Sequence, residues 1–261
     1  MDVGRLIVDE PASGVWNMAV DQALLESAEN DQRVTFRLYR WAEPTLSIGY
    51  FQNHDTRQSH LASLDCPLVR RRTGGGAIVH DQELTYSLAI PAAHRWSRHS
   101  TELYDQVHRA LIAALAPRGL ESQLYSEACA ERSVGIPKHL SEGPAEGGQE
   151  PFLCFQRRSD GDVVCGDHKL IGSAQRRLKR SLLQHGSILL GRSACAPELT
   201  GITELIGRAL DWDQLTADIV KVVRDTLQIQ LEPDKLLPGE RDAAQDAVTH
   251  WFGQTSWNQK R

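Results

Sequence analysis

Residues 70–80 read RRRTGGGAIVH, and the architecture is best approached from this stretch outward. Three consecutive glycines let the backbone take positive φ angles and come close to a ligand with no Cβ in the way. Residues 67–72 lead into the glycines in extended form, and residues 77–80 continue extended after them. The adjacent arginines can hold a carboxylate or a phosphate through charge-assisted hydrogen bonds. Two phosphate loops are excluded: no Gly-Lys-Ser/Thr follows, and the glycine spacing fails the dinucleotide fingerprint. A plain hairpin is the bland alternative for a Gly-rich turn taken alone.

On either side of this turn the pattern alternates between strands and helices. Leu6-Ile7-Val8 reads as a strand, followed from about Asn17 by a helix with Val20, Ala23 and Leu24 on one face. Val34, Phe36 and Leu38, then Leu46 and Ile48, then Tyr86, Leu88 and Ile90 alternate as half-buried strands do. Residues 100–115 are an amphipathic helix that Pro117 and Gly119 terminate. Residues 134–150, with four glycines and two prolines, read as a long loop or flap, the kind of segment that is often functional in a compact domain. Extended runs follow at 162–164, 169–173 and 182–190. Helical spacing then returns at Leu215, Ile219, Val222 and Val223, and at Ala244, Ala247, Val248 and Trp251. The expected fold is α+β, with mixed or antiparallel sheets flanked by helices. Residues 1–200 form the main domain in this reading. Residues 201–261 are a short helical extension of the same domain, because few strands are left to build a second one.

The 261 residues are 41% apolar and 24% charged, enough to bury a real core. A net charge of −5 argues against a general nucleic-acid binder. No run approaches the roughly 18 apolar residues of a membrane span, and the N-terminus lacks the features of a secretory signal, so a cytoplasmic protein without a membrane partner is expected. Five cysteines (66, 129, 154, 165 and 195) show no zinc-type pairing, and no metal site is expected. Buried small apolar residue is the default for each of them, which leaves room for a single reactive thiol.

Three further stretches carry chemistry: Cys154-Phe155 with Ser159-Asp-Gly-Asp-Val-Val164, Lys169-Leu-Ile-Gly-Ser-Ala-Gln-Arg176, and Gln184-His-Gly-Ser-Ile188. Lys169 stands before a run of small residues where backbone can approach a substrate. Its ammonium would favour the thiolate of a nearby cysteine, or stabilise an oxyanion developing on an acyl carbonyl. Taken singly, Lys169 reads as a surface lysine and His185 as a satisfied structural histidine.

Together, RRRTGGGAIVHDQELTYS, KLIGSAQRR and LLQHGSILL, in that order, resemble the cofactor transferase family of biotin ligases, lipoate–protein ligases and lipoyl-domain octanoyltransferases. LIVDEPASGVWNMAVDQALL is similar to the family's first strand and helix, and the resemblance covers about residues 6–190 with a weaker echo in SWNQKR. Within the family, HDQELTYS at 80–87 and Cys154-Phe155, fifteen positions before Lys169, are similar to a cysteine-dependent octanoyltransferase class. Ligases more usually carry Gly-Asn at the first place and need no thiol. Thr73-Gly-Gly-Gly-Ala77 departs from the TGGRA common in that transferase class and is closer to the ligase form. Gln156-Arg-Arg158 also lacks a proline often found there.

The resemblance implies that Cys154 takes an octanoyl or lipoyl group from acyl carrier protein as a thioester, with Lys169 assisting. The group then passes to the acceptor lysine of a lipoyl carrier domain, such as glycine-cleavage H protein or a 2-oxoacid dehydrogenase subunit. Arg72, Thr73, Gly74, Gly75, Gly76, His80, Gly172, Ser173, Ala174, Gln175, His185 and Gly186 are the implied substrate-binding set. No cofactor is required in this reading. ATP and magnesium enter only if the chain is an ATP-dependent lipoate ligase, and a non-catalytic lipoyl-domain or acyl-group binding module is the third alternative. Arg157, Arg158, Arg177, Lys179 and Arg180 are expected to form a basic rim for acidic carriers. Arg72 and Arg176 are expected to point inward and order the loop.

Overall fold

The computed structural model describes residues 2–30, 33–132 and 150–260. The N-terminal apolar run is β1 (Asp2–Val8), and Ser13 caps α1 (Gly14–Ser27) by accepting from the Trp16 N–H. Then come β2 (Thr35–Tyr39), β3 (Thr45–Ile48), β4 (Leu68–Arg70), β5 (Ile78–His80) and β6 (Glu83–Ile90). The amphipathic stretch is α2 (Ser100–Leu115), followed by β7 (Gln123–Leu124) and α3 (Tyr125–Arg132). The long loop expected at 134–150 falls, except for Glu150, outside the described residues. A hairpin-rich region supplies β8 (Val163–Cys165), β9 (His168–Leu178) and β10 (Ser181–Leu189). The chain ends with α4 (Ile202–Ile206), α5 (Trp212–Leu227), β11 (Ile229–Pro233), α6 (Pro238–Ala247) and α7 (Thr255–Asn258).

Eight strands make one mixed sheet in the order β11-β1-β2-β6-β10-β9-β8-β7, and β4-β3-β5 make a smaller one. This is the α+β arrangement of mixed sheets flanked by helices that the sequence implies. On one face α2 and α5 bury Leu103, Val107, Leu111, Leu215, Ile219 and Val223 against Phe36, Leu38, Leu88 and Ile188. On the other face α1 and α6 pack Val20, Leu24 and Ala244 against Ile7 and Leu183. α1 therefore lies between the sheet and α6, which is why even Asn17, Asp21 and Gln22 are buried on it. The small sheet has its own core, in which Leu46, Ile48, Ala77 and Val79 meet Leu153 and Phe155.

The C-terminal part carries a strand besides the helices of the expected short helical extension. β11 pairs in parallel with β1 and completes an edge of the main sheet. Its sequence, IQLEP, buries only Ile229 fully, so an edge strand of this kind leaves little alternation to read. Arg5 of β1, 1% exposed, pairs with Glu240 of α6 at 2.6 Å and with Asp234 at 2.8 Å. The segment is thereby tied to the first strand by charge as well as by backbone. Among the described residues no helix is long and apolar enough to cross a membrane.

Candidate active site

β4 delivers three arginines to the glycine turn, and each goes to a different place. Arg70 is fully buried, and its guanidinium donates to the carbonyls of Gly49 and Gln52. Arg71 turns under the loop and donates to the carbonyls of Gly74 (2.8 Å) and Gly76 (2.6 Å) and to Ser47 Oγ (3.1 Å). Arg72 swings the other way and stacks 4.2 Å from the Trp251 ring, while its carbonyl accepts from Arg176 at 2.6 Å. Arg72 and Arg176 thus hold the loop from outside rather than pointing inward as expected, and Arg71 is the arginine that faces the site. Gly75 sits at φ +93°, where a side chain is strained; a Cβ there would point at Arg71 Nη2.

Cys154 is placed by the apolar residues on either side of it. Leu153 and Phe155 are buried in the small-sheet core, Ala77 and Leu153 form a bridge, and the Cys154 N–H donates to the Ala77 carbonyl at 2.7 Å. The thiol is left half-buried at the edge of that core. Lys169, on β9, reaches it: Nζ is 3.8 Å from Cys154 Sγ and 3.3 Å from the Cys154 carbonyl oxygen. The same ammonium pairs with Asp162 at 2.8 Å, and both side chains are 3% exposed. Burial lifts the Asp162 carboxyl above its ordinary value, and the Lys169 charge and the Ser159 N–H pull against it. Burial also draws the Arg71 guanidinium down to about 10, opposed by the neighbouring Cys154. Two cations therefore converge on one sulfur, and the hydrogen-bond acceptors of Arg71 are neutral oxygens.

Beside this thiol opens a cavity of about 300 Å³. Its walls include Gly74, Gly75, His80, Cys154, Gly172, Ser173, Ala174, Gln175, His185 and Gly186 from the expected set, together with Met18, Tyr39, Arg71, Ile78, Thr85, Phe155 and Ser187. Thr73 stands behind the wall, 2.8 Å from His185 Nε2. Gly76 packs against the Cys154 backbone and Arg157. Arg72 lies outside the lining. β9 and β10 can run this close because Gly186 has no side chain: a Cβ would collide with Ser173 Oγ and come 2.7 Å from the Tyr86 ring.

The polar groups of the wall are fixed in three relays. His185 Nδ1 donates to Asp21 at 3.0 Å and Nε2 accepts from the Thr73 hydroxyl. Asp21 also takes Arg37 at 2.8 Å and the Tyr39 hydroxyl at 2.9 Å. Burial would raise the Asp21 carboxyl, but its bond from His185 and the Arg37 charge hold it below the ordinary value. His80 donates to Glu83 at 2.8 Å, accepts from Ser47 at 2.7 Å, and stacks on Trp41 with centroids 3.8 Å apart. His108 of α2 donates to the Gly161 carbonyl and accepts from Ser173 at 2.6 Å, and burial pushes it down to about 4.

Sequence reasoning missed Arg71, Asp21, Asp162, His108 and Glu83. A buried acid within an apolar helix at Asp21, and the acid of HDQEL at Glu83, were the signals available. The rim residues split up. Arg157 is tied to Glu150 at 2.6 Å, and Arg158 donates to the Phe155 and Asp167 carbonyls. Arg177, Lys179 and Arg180 are exposed at the β9–β10 turn, roughly 20 Å from Gly172 along an extended strand.

A mixed sheet with a glycine turn, a cation-flanked thiol and a narrow cavity defines a group-transfer fold, and comparison with known proteins agrees. The chain belongs to the lipoyl protein ligase A/B catalytic domain family, whose model matches residues 13–220. It is similar to octanoyltransferase LipM of Brevibacillus brevis, 30% identical with all of both chains covered. It is also similar to that of Bacillus subtilis, 29% identical over 98% of each chain. Among solved structures it superimposes on lipoate-protein ligase A bound with ATP (TM-score 0.72, 19% identity, 99% of both chains). A bi-partite lipoate protein ligase of Thermoplasma acidophilum gives a TM-score of 0.73 at 20% identity, over 99% of this chain and 97% of that one. At these identities the structural likeness speaks to fold alone.

Proposed function

We propose that this acyltransferase of protein lipoylation moves an octanoyl group from acyl carrier protein to the acceptor lysine of a lipoyl carrier domain through a thioester on Cys154. The carrying observation is the placement of Cys154 Sγ 3.8 Å from Lys169 Nζ at the wall of the cavity. The thiolate is the attacking form, and the adjacent ammonium favours it. Lys169, with Arg71, then stabilises the negative charge that passes from sulfur to the acyl oxygen and back.

The cavity's 300 Å³ sits at the lower end of ligand pockets, about 300–1,000 Å³, and suits one unbranched chain. Each methylene buried in it contributes roughly 0.8 kcal/mol. Gly74 and Gly75 admit the thioester beside the sulfur, and His80, Thr85 and Ser187 close part of the wall. The reaction needs no cofactor in this reading, and its setting is the cytoplasm. Carriers such as glycine-cleavage H protein or a 2-oxoacid dehydrogenase subunit supply the acceptor.

The test runs octanoyl-acyl carrier protein, or octanoate with ATP and magnesium, in parallel against apo carrier domain. Intact mass is read on the enzyme and on the carrier. The expected result is one octanoyl group on wild-type enzyme after the first donor, none on Cys154→Ala, and octanoylated carrier without ATP. Carrier modification that requires ATP and survives Cys154→Ala makes the chain a ligase. No modification under either condition makes it a binding module.

A further inference from the structure

Two half-buried arginines stand together without a counter-charge. Among the described residues neither Arg72 nor Arg176 pairs with a carboxylate, and the Nε of each is buried with no hydrogen-bond partner. Arg176 uses one terminal nitrogen on the Arg72 carbonyl. Burial draws both guanidiniums below their ordinary value, and the Arg176 charge lowers Arg72 further. Glu26 of α1 attracts both, but it accepts from Gln22 at 2.6 Å and forms an ion pair with neither. The Trp251 ring, 4.2 Å from Arg72, and the Trp257 ring at 5.8 Å offset part of the cost through cation–π contact. Lys260 brings a third cation to the same aromatic surface, 3.8 Å from the Trp257 and Tyr50 rings. Like charges with unsatisfied donors in such a place call for an anion from outside.

Their position narrows the choice of anion. Arg72 immediately precedes the Thr73–Gly75 turn, and its carbonyl is tied to Arg176 of β9. Side chains alternate faces along a strand, and Gln175 reaches Ser100 of α2, so Ala174 and Arg176 share the α1 face. Ala174 lines the cavity, and Arg176 follows two residues further on that face, roughly 7 Å away. Gly172, which packs on Lys169, lies roughly 13 Å from Arg176 along the strand. The arginine pair therefore joins two walls of the cavity, the glycine turn and β9, just outside its lining. An acyl group on an acyl carrier protein hangs from a pantetheine thioester, and the arm's two amides and alkyl links end in a phosphodiester. Extended, such an arm spans at least that distance, and guanidinium forks match phosphate oxygens.

We propose that Arg72 and Arg176 form the donor's phosphate site: they bind the phosphodiester that joins an acyl carrier protein to its pantetheine arm, and so register the thioester against Cys154. The inference rests on the acyl-enzyme reading above and names what anchors the donor in it. Arg72 offers both terminal nitrogens, and Arg176 the one that does not hold the Arg72 carbonyl. An anion between them replaces their repulsion with two charge-assisted contacts. The acceptor lysine brings no phosphate, so the site acts on the first half of the reaction and separates donor from acceptor.

The experiment times acylation of the enzyme by intact mass with octanoyl-acyl carrier protein, octanoyl-phosphopantetheine and octanoyl-pantetheine, the last without phosphate, each below saturation. Wild type should react about 10- to 100-fold faster with the phosphorylated small donor than with the unphosphorylated one, the effect of one or two hydrogen bonds to a charged group. In Arg72→Gln/Arg176→Gln that ratio should fall to near one, and acylation by octanoyl-acyl carrier protein should slow by a similar factor. Loss of loop order alone would slow both small donors and keep their ratio, which overturns the proposal. If the double variant fails to fold, Arg72→Gln decides, because among the described residues its guanidinium bonds no carbonyl; it should cut the ratio severalfold. A wild-type ratio near one also overturns the proposal, and inorganic phosphate that then raises the Tm of wild type but not of Arg72→Gln would give the pair to a free anion instead. Wild-type enzyme that no donor acylates, or acylation that survives Cys154→Ala, overturns the acyl-enzyme reading first, and this inference with it.

Discussion

Acid should destabilise this protein through one identifiable side chain, His108. Its ring is fully buried between α2 and β9, with Nδ1 donating to the Gly161 carbonyl and Nε2 accepting from Ser173. Burial pushes it down to about 4, against about 6.5 in an unfolded chain. Between those values the unfolded state binds the extra proton, so stability is intact above about pH 6.5 and is lost as pH falls towards 4. At about 1.4 kcal/mol per pH unit the loss over the whole window is roughly 3 kcal/mol. His94, also held down by partial burial, titrates in the same direction, so the measurement must be a difference. Urea unfolding of wild type and His108→Gln from neutral pH to about 4 isolates its contribution. The variant should start less stable, for want of the ring's packing, and show a flatter pH profile by about that amount. Parallel profiles for the two proteins would mean that His108 does not carry the proton coupling, and the tautomer argued for the Ser173 relay would fail with it.

Three other outcomes follow from the geometry. Lys169→Met should slow iodoacetamide labelling of Cys154 severalfold relative to the other cysteines, read by peptide mass, because the ammonium 3.8 Å from the sulfur is gone. Gly186→Ala should destabilise by about 1–3 kcal/mol and abolish donor acylation, since its Cβ would push Ser173 and Tyr86 apart at the cavity wall; full acylation would refute the close approach. Glu240→Ala removes one of the two carboxylates that hold Arg5, 1% exposed, and leaves Asp234; it should lower the unfolding free energy by about 1–3 kcal/mol, and a neutral result would mean that α6 is only loosely joined to β1.

Much of the fold was legible because one half of each alternating strand is apolar and packs on α2 and α5. Phe36, Leu38, Tyr86 and Leu88 mark β2 and β6 in that way. The other half misleads. Arg37, Thr85, Ser87 and His185 alternate with those residues as solvent-facing side chains would, yet all are buried on the α1 side. α1 itself is covered by α6, which lies more than 200 residues later in the chain. Strand periodicity cannot report that a helix closes over the polar face, so β6 reads as half-buried and is buried along its whole length.

The same fact explains which site residues could be found. Cys154, Lys169 and the glycines stand out by type and order along the chain, whereas Arg71 and Arg72 are indistinguishable neighbours until β4 turns one under the loop and the other onto Trp251. Asp21, Arg37 and His185 come from a helix and two strands, and only the assembled sheet gives them a common partner. A polar face sealed between sheet and helix is stable only if its groups satisfy one another. Here they do so through chains that end on the cavity: Arg37 on Asp21, Asp21 on His185, His185 on Thr73. The stability of the fold and the activity that uses this cavity therefore depend on the same hydrogen bonds. Substitutions along that chain should lower both together, while those at Cys154 should lower activity alone.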